Sequence, residues 1–127
     1  MIFSDPEFGW AGSTPEQLDA DGHEVISARK ESRLVGKLHL AGDDHGLGEF
    51  FADASDGRLL GAGLLCAGAS DLIHLPAYMI SHGHTVSDGT AAEYYHPARI
   101  EIVSAVLDRL CEQLGGRPPR RADAKTG

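Results

Sequence analysis

The sequence predicts an α+β two-layer sandwich, an antiparallel sheet with helices packed on one face. Three observations predict it. Runs alternating between apolar and polar residues fill 23–66, glycine-bearing turns separate those runs, and amphipathic helical segments flank the block on both sides. At 127 residues the chain forms one domain with a single hydrophobic core. The folded part is expected over 1–115, and 116–127, rich in proline and charge, as a disordered tail.

Residues 1–4 read as a short strand that stops at Asp5-Pro6, and Gly9-Trp10-Ala11-Gly12 as a tight, partly extended piece. Ser13-Thr14-Pro15-Glu16-Gln17-Leu18 carries a hydroxyl cap, an early proline and an acid or amide behind it, which is how a helix starts. That helix ends near Asp21-Gly22, where glycine accepts the left-handed cap. Strands are expected over 23–28, 34–40, 49–53 and 58–65, with a turn at 42–46 and a hairpin turn at Ser55-Asp56-Gly57. They form a meander of three to four antiparallel strands.

The period then changes. Leu72, Ile73, Leu75, Tyr78, Met79 and Ile80 predict a helix over 69–81, kinked at Pro76, where a lost hydrogen bond costs about 3 kcal/mol. Gly83 ends it and a short helix follows over 85–92. The last helix is expected from Pro97 to about Leu114, with Ile100, Val103, Val106, Leu107, Leu110 and Leu114 as its apolar face. Gly115-Gly116 stops it.

Composition excludes several functions. A net charge of −8 argues against a nucleic-acid surface, which needs a basic stripe. No apolar run approaches the roughly 20 residues of a membrane span, and Met1-Ile2-Phe3-Ser4-Asp5-Pro6 lacks the pattern of a signal peptide. Cys66 and Cys111 stand alone, so both are expected as buried thiols in a cytoplasmic protein. Gly61-Ala62-Gly63 with Gly68 falls inside an expected strand, whereas a dinucleotide loop must turn from strand into helix. His82-Gly83-His84 with Asp88 nearby could begin a metal site, but no third ligand follows at a regular spacing. Asp43-Asp44-His45 and Asp53-Ala54-Ser55-Asp56-Gly57 lack the ligand run of a calcium loop and read as turns. No metal ligands are assigned.

The chemistry-bearing stretch is Tyr94-Tyr95-His96-Pro97-Ala98-Arg99-Ile100-Glu101. Pro97 suits the first position of a helix and pushes His96 into an extended conformation just outside it. Glu101 falls in the early turns, where the helix dipole favours a carboxylate. Five residues of regular helix turn through roughly 140°, so the two side chains meet only if His96 precedes the helix and bends back. Two readings remain open from spacing alone. His96 and Glu101 form an acid/base dyad, or Glu101 is a dipole-favoured surface acid and His96 a boundary residue under the tyrosines.

Taken in order, these motifs resemble the C-terminal dimerisation domain of the pyridine nucleotide–disulfide oxidoreductases, and among them the dihydrolipoyl dehydrogenase-like branch. Phe3-Ser4-Asp5-Pro6-Glu7 with Gly12 and Thr14-Pro15-Glu16 resembles the start of that domain. Arg58-Leu59-Leu60-Gly61-Ala62 followed by Ala69-Ser70-Asp71-Leu72-Ile73-His74 resembles its central strand and next helix. His96-Pro97 with Glu101 resembles its His-Pro…Glu signature. The resemblance implies that 1–115 is a dimerisation domain, that the chain forms a homodimer, and that His96, oriented by Glu101, serves the partner subunit's redox disulfide beside FAD. A carboxylate about 4 Å from an imidazolium is worth up to about 4 kcal/mol at an effective dielectric near 20. Ala98 stands where many members have threonine. The chain also lacks a redox cysteine pair and a glycine fingerprint. FAD and NAD(P) are therefore implied for a parent enzyme and its FAD/NAD(P) domains, no cofactor for this chain, and no activity for it alone. The competing expectation is a free-standing homodimerisation module without catalysis; a third is a small metal protein built on His82 and His84.

Overall fold

The computed structural model describes residues 4–118. Four strands make one fully antiparallel sheet: β1 (Phe8–Gly12), β2 (Val25–Glu31), β3 (Leu47–Asp53) and β4 (Leu59–Leu65), in the order β1-β4-β3-β2. Around them lie α1 (Pro15–Ala20), α2 (Gly36–Leu40), α3 (Ala69–Leu72), α4 (His74–Ser81), α5 (Val86–Ala91) and α6 (Glu101–Gln113). The fold is α+β, as expected. Strands β2, β3 and β4 form the meander, and β1 closes its far side by pairing with β4.

The core lies between one sheet face and the helices. Phe50, Ala52, Leu59, Ala62 and Leu64 from β3 and β4 meet Ile102, Val103, Val106, Leu107 and Leu110 of α6. Every one of these is 2% exposed or less, so each apolar side chain contributes on the order of 1.5–3 kcal/mol before entropy is charged. At Gly48 a Cβ would stand 3.0 Å from the Leu64 side chain, with Val106 and Ile102 of α6 at ordinary contact distance, 3.4 and 3.5 Å. On the other face Phe8, Trp10 and Phe51 form an aromatic row with centroids 6.5 and 6.0 Å apart. Trp10 lies flat over Gly63, where a Cβ would come within 2.6 Å of its ring. The glycines of β4 thus serve packing, and they sit within a strand.

Two short helices carry a full capping box, the first at the cap expected from the sequence. Thr14 caps α1 with Gln17, and Thr85 caps α5 with Asp88. The outer edge of β2 is covered by side chains of α6: Arg109 donates to the carbonyl of Arg29, and Gln113 Nε2 donates to that of Ser27 at 2.8 Å.

Four expectations are corrected. Residues 34–40 are not a strand. A single 3-10 turn (Ser32–Leu34) leads into α2, because Val35 and Leu38, three apart, are buried while Leu34 and Leu40 are 48% and 84% exposed. The helix expected over 69–81 does not kink at Pro76 but divides before it, into α3 and α4 around Ile73. Pro76 then occupies the first turn of α4, where a missing N–H leaves no helical bond unmade. Pro97 is not the first residue of the last helix; that helix begins at Glu101, and the His96–Pro97 bond is cis. Ser4 is not in a strand, its hydroxyl donating to Pro6 O at 2.7 Å; Met1–Phe3 lie outside the described residues. Most of the expected tail, 119–127, also lies outside them.

Candidate functional site

The segment between α5 and α6 is irregular, and His96 lies in it. Tight turns carry the chain from there into α6: Glu101 N–H donates to Ala98 O at 3.3 Å, and Ile102 N–H to Arg99 O at 3.1 Å. Glu101 is therefore the first residue of a thirteen-residue helix, at the positive end of its dipole. The bend lets His96 reach it. Nδ1 of His96 stands 3.0 Å from both carboxylate oxygens of Glu101. A carboxylate only accepts, so the geometry assigns the proton to Nδ1 in the neutral ring and the lone pair to Nε2.

The carboxylate is the fixed member of the pair. Glu101 Oε1 accepts a second hydrogen bond from Ala98 N–H at 2.8 Å. Its side chain is 15% exposed, against 45% for His96. An anchored base thus orients an imidazole that faces outward. Beside the ring a cleft of about 200 Å³ is lined by Lys30, Leu34, Val35, His96, Glu101 and Asp108. Burial, with Arg109 nearby, holds the Lys30 ammonium below its ordinary pKa. Leu34 is half exposed in this cleft, and Tyr95, next to His96 in sequence, is 80% exposed.

Other sequence candidates have plainer surroundings. His82 Nδ1 donates to the Tyr78 carbonyl at 2.9 Å, and His84 Nδ1 lies 3.4 Å from Asp88. Their rings gather with that of Tyr78. Among the described residues no group of three or more His, Cys, Asp or Glu side chains is arranged to hold a metal ion. Cys66 is fully buried one residue beyond β4, and burial, with Glu7 nearby, pushes its thiol up to about 11. Such a thiol is a poor nucleophile. Cys111 is a second buried free thiol, on α6. No helix of the described residues is long and apolar enough to cross a membrane.

Two features escaped the sequence reading. Asp53 gathers the β3–β4 turn, accepting from the Ser55 hydroxyl at 2.5 Å, the Ser55 amide at 2.7 Å and the Asp56 amide at 3.2 Å, with His23 Nδ1 at 3.4 Å. These bonds, the Ser55 hydroxyl foremost, hold its carboxyl well below the usual carboxylate range. An Asx turn is written in Asp53-Ala54-Ser55; the distant His23 is not. The second feature is Tyr94, whose hydroxyl donates to the Gly89 carbonyl at 2.8 Å. Nothing in the spacing signals it.

The family described as pyridine nucleotide-disulphide oxidoreductase, dimerisation domain, matches residues 1–106. The dihydrolipoyl dehydrogenase of Halobacterium salinarum is 31% identical over 100 residues, covering 79% of this chain and 21% of that protein. The mitochondrial dihydrolipoyl dehydrogenase of Homo sapiens is 26% identical over 101 residues, covering 80% of this chain and 20% of its own length. Among solved structures, LpdA from Mycobacterium tuberculosis superposes with a TM-score of 0.80 at 21% identity, over 86% of this chain and 24% of that one, a likeness of fold. The chain thus spans about a fifth of the length of the curated relatives it matches.

Proposed function

This chain belongs to the family of pyridine nucleotide-disulphide oxidoreductase dimerisation domains, and from that premise we propose that it is the interface domain of a cytoplasmic, dihydrolipoyl dehydrogenase-like flavoenzyme. In that enzyme 1–115 pairs two subunits. His96 and Glu101 form the acid/base dyad that works on the partner subunit's redox disulfide. FAD and NAD(P) belong to other domains in this reading. The glycines of β4 are unsuited to a phosphate loop, since Gly61 is crowded by the Ser13 carbonyl and Gly63 by Trp10.

One observation carries the reading: a half-exposed imidazole held at 3.0 Å by a carboxylate that its own helix and the Ala98 amide keep in place. With Nδ1–H on Glu101, the Nε2 lone pair can take a proton from a dithiol. The ring then becomes imidazolium and lies against a fixed negative charge, and it returns the proton when the thiolate product needs it. The exposed Tyr95 and Leu34 supply apolar surface beside the dyad, which suits an isologous contact. Sedimentation of the chain at high concentration should give a dimer. In an enzyme that carries it, His96→Ala should lower dithiol-dependent turnover about 10²–10⁴-fold with flavin still bound. A dimer whose turnover ignores His96→Ala would leave a dimerisation module without chemistry.

A further inference from the structure

We infer that Tyr94 is a positioning residue, the strut that holds the segment around His96 so that the imidazole meets Glu101. The inference rests on the reading of His96 as the acid/base, but its geometry stands without it. His96 lies in a stretch with neither helix nor strand to fix its course, and the ring must nonetheless stay at 3.0 Å from a carboxylate on the next element. Two residues ahead of it, the Tyr94 phenol donates to the Gly89 carbonyl at 2.8 Å, in a part-buried position.

The foot of the strut sits in the core. Gly89 is buried in α5, wedged between α4 and α6: a Cβ there would come 2.6 Å from Met79 Cε and 2.8 Å from Leu107 Cδ1. Met79 and Leu107 are themselves core residues. Beyond His96, Arg99 lies 3.7 Å from Asp43 and Ala98 N–H bonds Glu101. The segment is therefore tied on both sides of the histidine. The Arg99–Asp43 pair is longer, at 3.7 Å, and more open to solvent than the part-buried phenol bond at 2.8 Å, so the phenol is the firmer tie.

The test is Tyr94→Phe in the 127-residue chain, which keeps the ring and removes only the hydroxyl, with Tyr95→Phe as control. Loss of a hydrogen bond of about 1 kcal/mol should speed hydrogen exchange of the Ala98 amide about fivefold to tenfold. The His96 Nδ1–H resonance should broaden, while amides in the middle of α6, such as those of Val106 and Leu107, keep their protection. Unchanged Ala98 and His96 signals in Tyr94→Phe would overturn the inference, as would an equal loss of protection throughout α6 or the same response in Tyr95→Phe. In an enzyme that carries the chain, Tyr94→Phe should lower kcat and leave KM within about twofold. If His96→Ala proved harmless there, the catalytic reading would fall while the amide result still decided the role of Tyr94.

Discussion

Two histidines in this chain each find a carboxylate five residues later, at opposite ends of a helix. His39 lies in the last turn of α2 and its Nδ1 is 2.8 Å from Asp44; His96 precedes α6 and is 3.0 Å from Glu101. By distance alone the first pair is the better one. Yet its members are 62% and 41% exposed, and only one carboxylate oxygen is engaged. In the second pair both oxygens face the ring, a backbone amide holds one of them, and a long helix anchored in the core carries the acid. Proximity brings the first two side chains together; anchoring of the carboxylate is what sets the second pair apart.

The comparison breaks most visibly in turnover. His96→Ala should cost about 10²–10⁴-fold in an enzyme that carries the chain, whereas His39→Ala should change steady-state rates less than twofold. Equal losses would mean that spacing, and not anchoring, is what counts. A smaller effect probes why the ground under His39 is softer. Helix α2 starts at Gly36 with no side-chain cap bond, and a Cβ there would meet nothing within 4 Å. Gly36→Ala should therefore stabilise the domain by about 0.4–1 kcal/mol in urea unfolding. The smallest effect concerns a third pair, His23 and Asp53, in which the carboxylate is fixed by its own turn and the histidine is peripheral. The fold holds the Asp53 carboxyl below its ordinary value, so it contributes stability above the unfolded carboxylate pKa of about 3.9. That contribution is lost as pH falls through the folded value. Asp53→Asn should flatten the acid side of the stability profile below about pH 4 and leave its slope near neutrality unchanged.

Much of this architecture is legible in the residues. The apolar stripe of α6, the cap at Thr14 and the Ser55-Asp56-Gly57 turn each state a local rule that tertiary structure has no reason to override. Residues 34–40 mislead because seven residues can satisfy a period of two and a period near three at once. Only packing decides, and it buries Val35 with Leu38. The last helix starts late because the chain uses 97–100 to turn, a choice no propensity scale sees. His96 and Glu101 could be named from the sequence, but their contact depends on that late start. The Tyr94 strut depends on Gly89 being wedged between two helices far apart in the chain, which is a property of the assembled core.

The side chains that α6 lays along β2 have an outcome of another kind. An open strand border offers its peptide groups to any neighbouring chain, and Arg109 and Gln113 already occupy two of the carbonyls on that border. The same helix thus presents the carboxylate at its beginning and screens the sheet near its end. Fraying of its last two turns would leave the His96–Glu101 contact in place and yet open a seam along which molecules could zip together and precipitate.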